Sequence, residues 1–125
     1  MTAADIEALI LRHDAAWNAH DLDAICACYH PDIVFRNHNA GEEAHGVDAV
    51  RAHIGGILTG WPDLHFTSRR RYHADGFAVS EWTADATHRD GRRLEWDGID
   101  VFPISDGLIA RKDVYSTAHA ARVLE

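Results

Sequence analysis

Residues Phe77–Ser116 read FAVSEWTADATHRDGRRLEWDGIDVFPISDGLIARKDVYS. Apolar and polar side chains alternate along runs at about 77–88, 92–104 and 108–116, and Asp90-Gly91 and Asp106-Gly107 separate the runs. Asp-Gly between alternating segments is a strong short-range hairpin signal, because both residues tolerate positive φ. A further run at about 64–73 precedes Asp75-Gly76 in the same way. The second half of the chain therefore reads as an antiparallel meander.

Working outward, the first half has helical spacing. Thr2 with Asp5 resembles a capping box, and Ile6, Leu9, Ile10, His13, Trp17 and His20 then recur on one face. Asp21 can cap a second, shorter helix through Tyr29, which Pro31 ends. Ile33, Phe35 and Asn37 alternate with Val34, Arg36 and His38 as a first strand. A loop over Gly41–Gly46 leads to a third helix with Val47, Val50, Ile54 and Ile57 as its buried stripe, closed by Gly60-Trp61-Pro62. The order α-α-β-α-β-β-β-β predicts an α+β domain spanning residues 1–125.

The chain has Lys+Arg 12 against Asp+Glu 20, a formal charge of −8, and its longest basic run is Arg69-Arg70-Arg71. That balance disfavours nucleic acid and anionic membrane as partners. Cys26 and Cys28 do not make a disulfide framework and read as small core residues, which fits a reducing cytosol. The start, Met1-Thr2-Ala3-Ala4-Asp5, lacks the basic and apolar regions of a signal peptide, and no apolar run approaches the roughly 20 residues of a membrane span. A soluble cytoplasmic protein is expected.

Treating Asp90-Gly91 and Asp106-Gly107 as two-residue turns fixes which side chains oppose one another. Glu81 then faces Asp100, Thr83 faces Gly98 and Asp85 faces Trp96. Across the next hairpin Asp100 faces Asp113, Phe102 faces Arg111 and Gly98 faces Tyr115. The result is a row of three carboxylates, Glu81, Asp100 and Asp113, on the more apolar face. Burying like charges together raises the pKa of at least one of them, and such a pair of donor and acceptor is what acid–base catalysis needs. Arg111 and His13 are candidate balancing charges. The alternative is a structural ion-pair network, and a bulge in either hairpin would turn Glu81 or Asp100 to solvent.

The sequence resembles the nuclear-transport-factor-2-like superfamily of curved α+β cones, which includes steroid isomerases, SnoaL-like polyketide cyclases and limonene-epoxide hydrolases. The resemblance covers nearly the whole chain. It rests on His20-Asp21-Leu22-Asp23-Ala24-Ile25, Tyr29-His30-Pro31-Asp32, Gly46-Val47-Asp48-Ala49-Val50, and Asp100-Val101-Phe102 through Asp106-Gly107-Leu108-Ile109. It implies a cone-shaped curved antiparallel sheet with three helices in the first half. Relative to the isomerases, Asn37, His13 and Gly98 stand where their catalytic Asp, oxyanion Tyr and second acid stand, so that mechanism is not expected. Relative to the epoxide hydrolases, Phe35-Arg36-Asn37 keeps the Asn of a water-holding pair, and Arg111-Lys112-Asp113-Val114-Tyr115 places Asp113 at the general base. Their Arg and second Asp have no clear counterpart in Ser80-Glu81-Trp82-Thr83-Ala84-Asp85. In the SnoaL-like cyclases the acid lies on the terminal strands, a role open to Asp113 or Asp100.

The combined expectation is cofactor-independent acid–base chemistry on a small, mostly apolar molecule, with a non-catalytic binding domain as the alternative. Asp113 is the expected base, Asp100 its partner and Asn37 an orienter of water or substrate. Glu81, His13, Tyr115 and Arg111 are expected to support the pocket, and Trp17, Phe35, Trp96 and Phe102 to shape its walls. No metal or other cofactor is implied, and a homodimer through the outer sheet face is expected. The reading makes one demand of the structure: Asp100 and Asp113 must open into the same cavity.

Overall fold

The computed structural model describes residues 1–125. Helix α1 (Ala3–Asn18) starts at the anticipated capping box, in which Thr2 accepts from the Asp5 amide and Asp5 accepts from the Thr2 amide. It buries Ile6, Leu9, Ile10, His13, Ala16 and Trp17 against the sheet. Helix α2 (Leu22–Cys26) is capped by Asp21 and is shorter than its sequence suggested. Its chain turns at Ala27, and Tyr29 already opens strand β1 (Tyr29–Asn37). Pro31 therefore lies inside a strand, at the place where pairing of that strand changes register. A short strand β2 (Glu42–His45) pairs with β1 where a loop was expected, and α3 (Val47–Gly60) follows.

Four long strands come next: β3 (His65–Ala74), β4 (Phe77–Thr87), β5 (Arg93–Ser105) and β6 (Leu108–Ser116). After a short 3₁₀ turn, β7 (Arg122–Leu124) pairs with the first residues of β5, beyond the end of β6. The sheet order is β2-β1-β6-β5-β4-β3, antiparallel throughout except for the parallel β1–β6 pair. The result is a curved, mostly antiparallel sheet with three helices on its inner face, an α+β cone. No helix is long and apolar enough to cross a membrane.

The strand positions follow the alternation, but the cross-strand partners do not. At the β4–β5 turn only Gly91 has positive φ, and its N–H donates to the His88 carbonyl while His88 N–H donates to Arg92. The turn thus has three residues, Arg89 to Gly91, a tight turn closed by a left-handed glycine. One extra turn residue slips the register by one, so Asp100 faces Ser80 and Glu81 faces Ile99. A slip of one moves every affected side chain to the other face relative to its neighbour strand. At the β5–β6 turn both Asp106 and Gly107 take positive φ, and Ser105 pairs with Leu108 as expected of two residues. Between Val101 and Ile104 the ladder then shifts at a bulge containing Pro103, which has no N–H to give. Beyond it Asp100 faces Val114, and Asp113 faces Val101. The predicted row is dispersed: Asp100 points inward with Ser80, while Glu81 and Asp113 occupy the outer face.

Gly98 now sits opposite Trp82 instead of Thr83. The indole lies directly on the glycine, and a Cβ there would come within 2.2 Å of the ring. Gly98→Ala is expected to lower stability by about 1–3 kcal/mol through overpacking. Gly56→Ala, on α3 with open space around its Cα, is expected to raise it by about 0.5–1 kcal/mol. Urea denaturation of the two variants checks both signs.

Candidate functional site

The inner face carries one fully buried ion pair. Lys112 Nζ donates to Asp100 Oδ2 at 2.9 Å, and both residues are buried, at 5% and 4% exposure. Lys112 had no place among the predicted site residues, since lysine is rarely buried unless paired. Its only signal in the sequence is parity: it stands two residues before Val114, on the same side of β6 as the core. Three aromatic rings surround its ammonium, with Trp17, Phe102 and Phe35 centroids at 5.1, 5.3 and 5.6 Å. Those rings offer their negative faces to a charge that has lost its water.

Beside this pair lies a cavity of about 240 Å³ between α1 and strands β3 and β4. Three residues that line it each hold a buried polar atom with no hydrogen-bond partner in the protein: Asp100 Oδ1, Ser80 Oγ and Trp82 Nε1. A buried polar group left unpaired costs roughly 1–3 kcal/mol. The three differ in kind, one an acceptor, one a donor, and the hydroxyl either. Together they fit a small molecule that offers both a hydrogen-bond donor and an acceptor.

His13 lines the same cavity and anchors a second network. Trp17 Nε1 donates to His13 Nε2 at 3.0 Å, and the Tyr29 hydroxyl lies 2.9 Å from the same nitrogen. With Nε2 accepting, Nδ1 carries the proton and faces Asp14 Oδ1 at 3.3 Å. Asp14 in turn accepts two bonds from Arg71, at 2.7 and 3.0 Å. Burial, with a smaller push from Lys112, holds His13 below its ordinary 6.5 despite Asp14, so it is neutral and does not balance the acids as expected. Burial raises the Asp14 carboxyl, but His13 and Arg71 outweigh it and hold the carboxyl below its usual value. Burial also lifts the Tyr29 hydroxyl well above 10 and raises the thiols of Cys26 and Cys28.

A second cavity, of about 260 Å³, opens under α3 between Phe35, Trp61 and Trp96, with Asn37 at its edge. Asn37 Oδ1 faces the amides of Asn39 and Ala40 at 3.2 and 3.4 Å and so shapes the turn after β1. Phe102 is fully buried under the ion pair, and Trp96 packs on Trp61 at 5.6 Å. The structure thus gathers Asp100, His13, Trp17, Phe35, Phe102 and Trp96 around one interior.

It keeps Asp113, Arg111 and Tyr115 out of that grouping, and Glu81 borders the first cavity while pairing outward. Asp113 accepts from Arg111 at 3.0 Å and lies 2.8 Å from His38 on the outer face. Its burial raises the carboxyl, yet Arg111 and His38 prevail and hold it below the usual range. Glu81 pairs with Arg70 at 3.0 Å, and Tyr115 stacks on His38 at 4.1 Å. Asp113, Glu81, Arg111 and Tyr115 are outer-face residues because of the turn and the bulge described above. No group of three or more His, Cys, Asp or Glu side chains converges as metal ligands would.

A curved sheet wrapped on helices, with a polar centre in an apolar interior, is the nuclear-transport-factor-2-like cone. The chain belongs to the SnoaL-like domain family, whose model matches residues 10–112. Solved structures with this fold include TsrD from Streptomyces laurentii, at 26% identity and TM-score 0.79 over 94% of this chain and 91% of that one. TerC co-crystallised with polyporic acid matches at 19% identity and TM-score 0.83 over 93% of both chains. A candidate SnoaL-like polyketide cyclase from Jannaschia sp. CCS1 matches at 16% identity and TM-score 0.82, over 93% and 87%. No curated protein sequence matches the chain.

The neutral His13 has a consequence for stability. Its folded pKa lies below 6.5, so the unfolded chain takes up the proton first as pH falls. The contribution is complete above about pH 6.5 and is lost below it, by at most about 1.4 kcal/mol per pH unit for one proton. Thermal melts between pH 7 and 5 are expected to show a shallower decline for His13→Gln than for the wild type.

Proposed function

We propose that the protein carries out cofactor-independent acid–base chemistry on a small, mostly apolar carbonyl compound, with Asp100 as the base. The observation that carries this reading is the split role of one carboxylate. Asp100 lines the cavity; its Oδ2 is fixed by Lys112, while its Oδ1 is buried with no protein partner. A base held by one oxygen and unpartnered at the other keeps a lone pair free to take a proton.

In the step proposed, Asp100 Oδ1 removes a proton from the carbon next to a carbonyl, and the C–H electrons move to the carbonyl oxygen. The Trp82 Nε1–H or the Lys112 ammonium donates to that enolate oxygen, in a site from which water is largely excluded. Return of the proton to another carbon gives isomerisation, and attack of the enolate carbon on a second carbonyl gives ring closure. The family and the polyporic acid complex of TerC support an organic ligand in the interior. Epoxide opening through Asp113 and Asn37 loses its base, because Asp113 lies outside. The exposed Phe77, Ile99 and Tyr115 of the outer face, at 43%, 39% and 48%, support the reading of a homodimer through that face. The two unpaired thiols suit the cytosol.

Exchange of the C1 protons of 2-tetralone in D₂O, followed by proton NMR, tests the assignment. The wild type is expected to accelerate exchange, and Asp100→Asn to reduce the acceleration at least 100-fold while keeping the fold by near-UV circular dichroism. Asp113→Asn is expected to stay within about threefold of the wild type. Exchange by Asp100→Asn at the wild-type rate would overturn the mechanism, and binding of 2-tetralone without exchange would make this a binding domain.

A further inference from the structure

The two inner cavities share a wall. Trp17, Phe66, Trp82 and Lys112 line both the chamber beside Asp100 and the aromatic chamber under α3. The three rings stack edge to face, Trp17 on Phe66 at 5.7 Å and 84°, and Phe66 on Trp82 at 5.0 Å and 90°. Each is fixed by a different device. Trp17 is tied through its indole N–H to His13. Trp82 lies flat on Gly98, the one place on β5 where no Cβ blocks it. Phe66 is held through its backbone: Asn18 Nδ2 donates to the Phe66 carbonyl at 2.9 Å, and the Phe66 N–H donates to Asn18 Oδ1 at 2.8 Å. Both bonds come from one amide at the end of α1, immediately after Trp17, so the helix positions two of the three rings.

We propose that this stack is a partition that sets the length of the ligand, with Phe66 as the specificity-determining residue and Asn18 as the residue that positions it. The inference rests on the reading of the Asp100 chamber as the reaction site and names its substrate class. That class is a compact, enolisable carbonyl compound of one or two fused rings, whose ring system ends at Phe66. Phe66 is the half-buried member of the three, whereas Trp17 and Trp82 are buried. Removing its ring joins the two chambers.

The test compares the dissociation constants of 2-tetralone and 6-phenyl-2-tetralone by isothermal titration calorimetry. The wild type is expected to bind the phenyl derivative at least tenfold more weakly than the parent. Phe66→Ala is expected to bring the two within threefold of each other. Phe66→Leu, which keeps more of the packing, is expected to fall between them and serves if the alanine variant is unfolded. Asn18→Ala is expected to relax the discrimination partly, with Phe66 itself intact. Equal binding of both ketones by the wild type, or unchanged discrimination in the Phe66 variants, would overturn the partition. Failure of 2-tetralone to bind the wild type would overturn both the chamber and the partition, whereas binding without proton exchange would overturn only the base.

Discussion

One buried ion pair organises the interior. Moving a carboxylate and an ammonium out of water carries a desolvation penalty of several kcal/mol per ion, and only close approach and good surroundings recover it. Asp100 and Lys112 meet at 2.9 Å, and aromatic faces close around the cation. Loss of either partner would strand the other charge, at roughly 3–5 kcal/mol. The β5–β6 register, the bulge at Pro103 and the docking of Trp17 all have to agree for the pair to form. The same arrangement leaves one carboxylate oxygen uncommitted, so the feature that constrains the fold is also the one that offers chemistry.

The acid excess divides in a way that composition does not show. On the outer face carboxylates are matched to nearby arginines: Asp113 to Arg111, Glu81 to Arg70, Asp97 and Glu95 to Arg122. Exposed pairs of this kind contribute about 0–1 kcal/mol each and weaken with salt. Asp14 is intermediate, tied to Arg71 on one side and to the neutral His13 on the other. Asp100 alone is both deep and without a partner at one oxygen. Position in the pleat, not the number of acids, separates surface solvation from reactivity.

What could be read in the sequence was local. The Thr2–Asp5 box, the Asp21 cap, the buried stripe of α1 and the bounds of β3 to β6 all depend on residues a few positions apart, and they stand within a residue or two of their predicted places. The order of strands followed from the same signals, apart from β2 and β7, each of four residues or fewer. The site depended on counting. Asp90-Gly91 and Asp106-Gly107 look alike, yet one lies in a three-residue turn and the other forms a two-residue turn, because Asp106 adopts positive φ and Asp90 does not. Asp100 could therefore be placed on the inner face, whereas its neighbours there, Ser80 and Lys112, could not be named. The aromatic walls Trp17, Phe35, Trp96 and Phe102 were less sensitive, since large apolar side chains seek the interior under most registers.

The bulge at Pro103 has a consequence beyond this chain. Positions 100 and 113 both hold aspartate, and the ladder between them decides which one is presented to the interior. Restoring regular pairing would turn Lys112 and Val114 outward and bring Asp113 inward. A single insertion or deletion in β5 can thus convert an acid–base pair into two opposed acids on the same scaffold. Chemistry in such a cone can diversify by changes in strand length as well as by substitution.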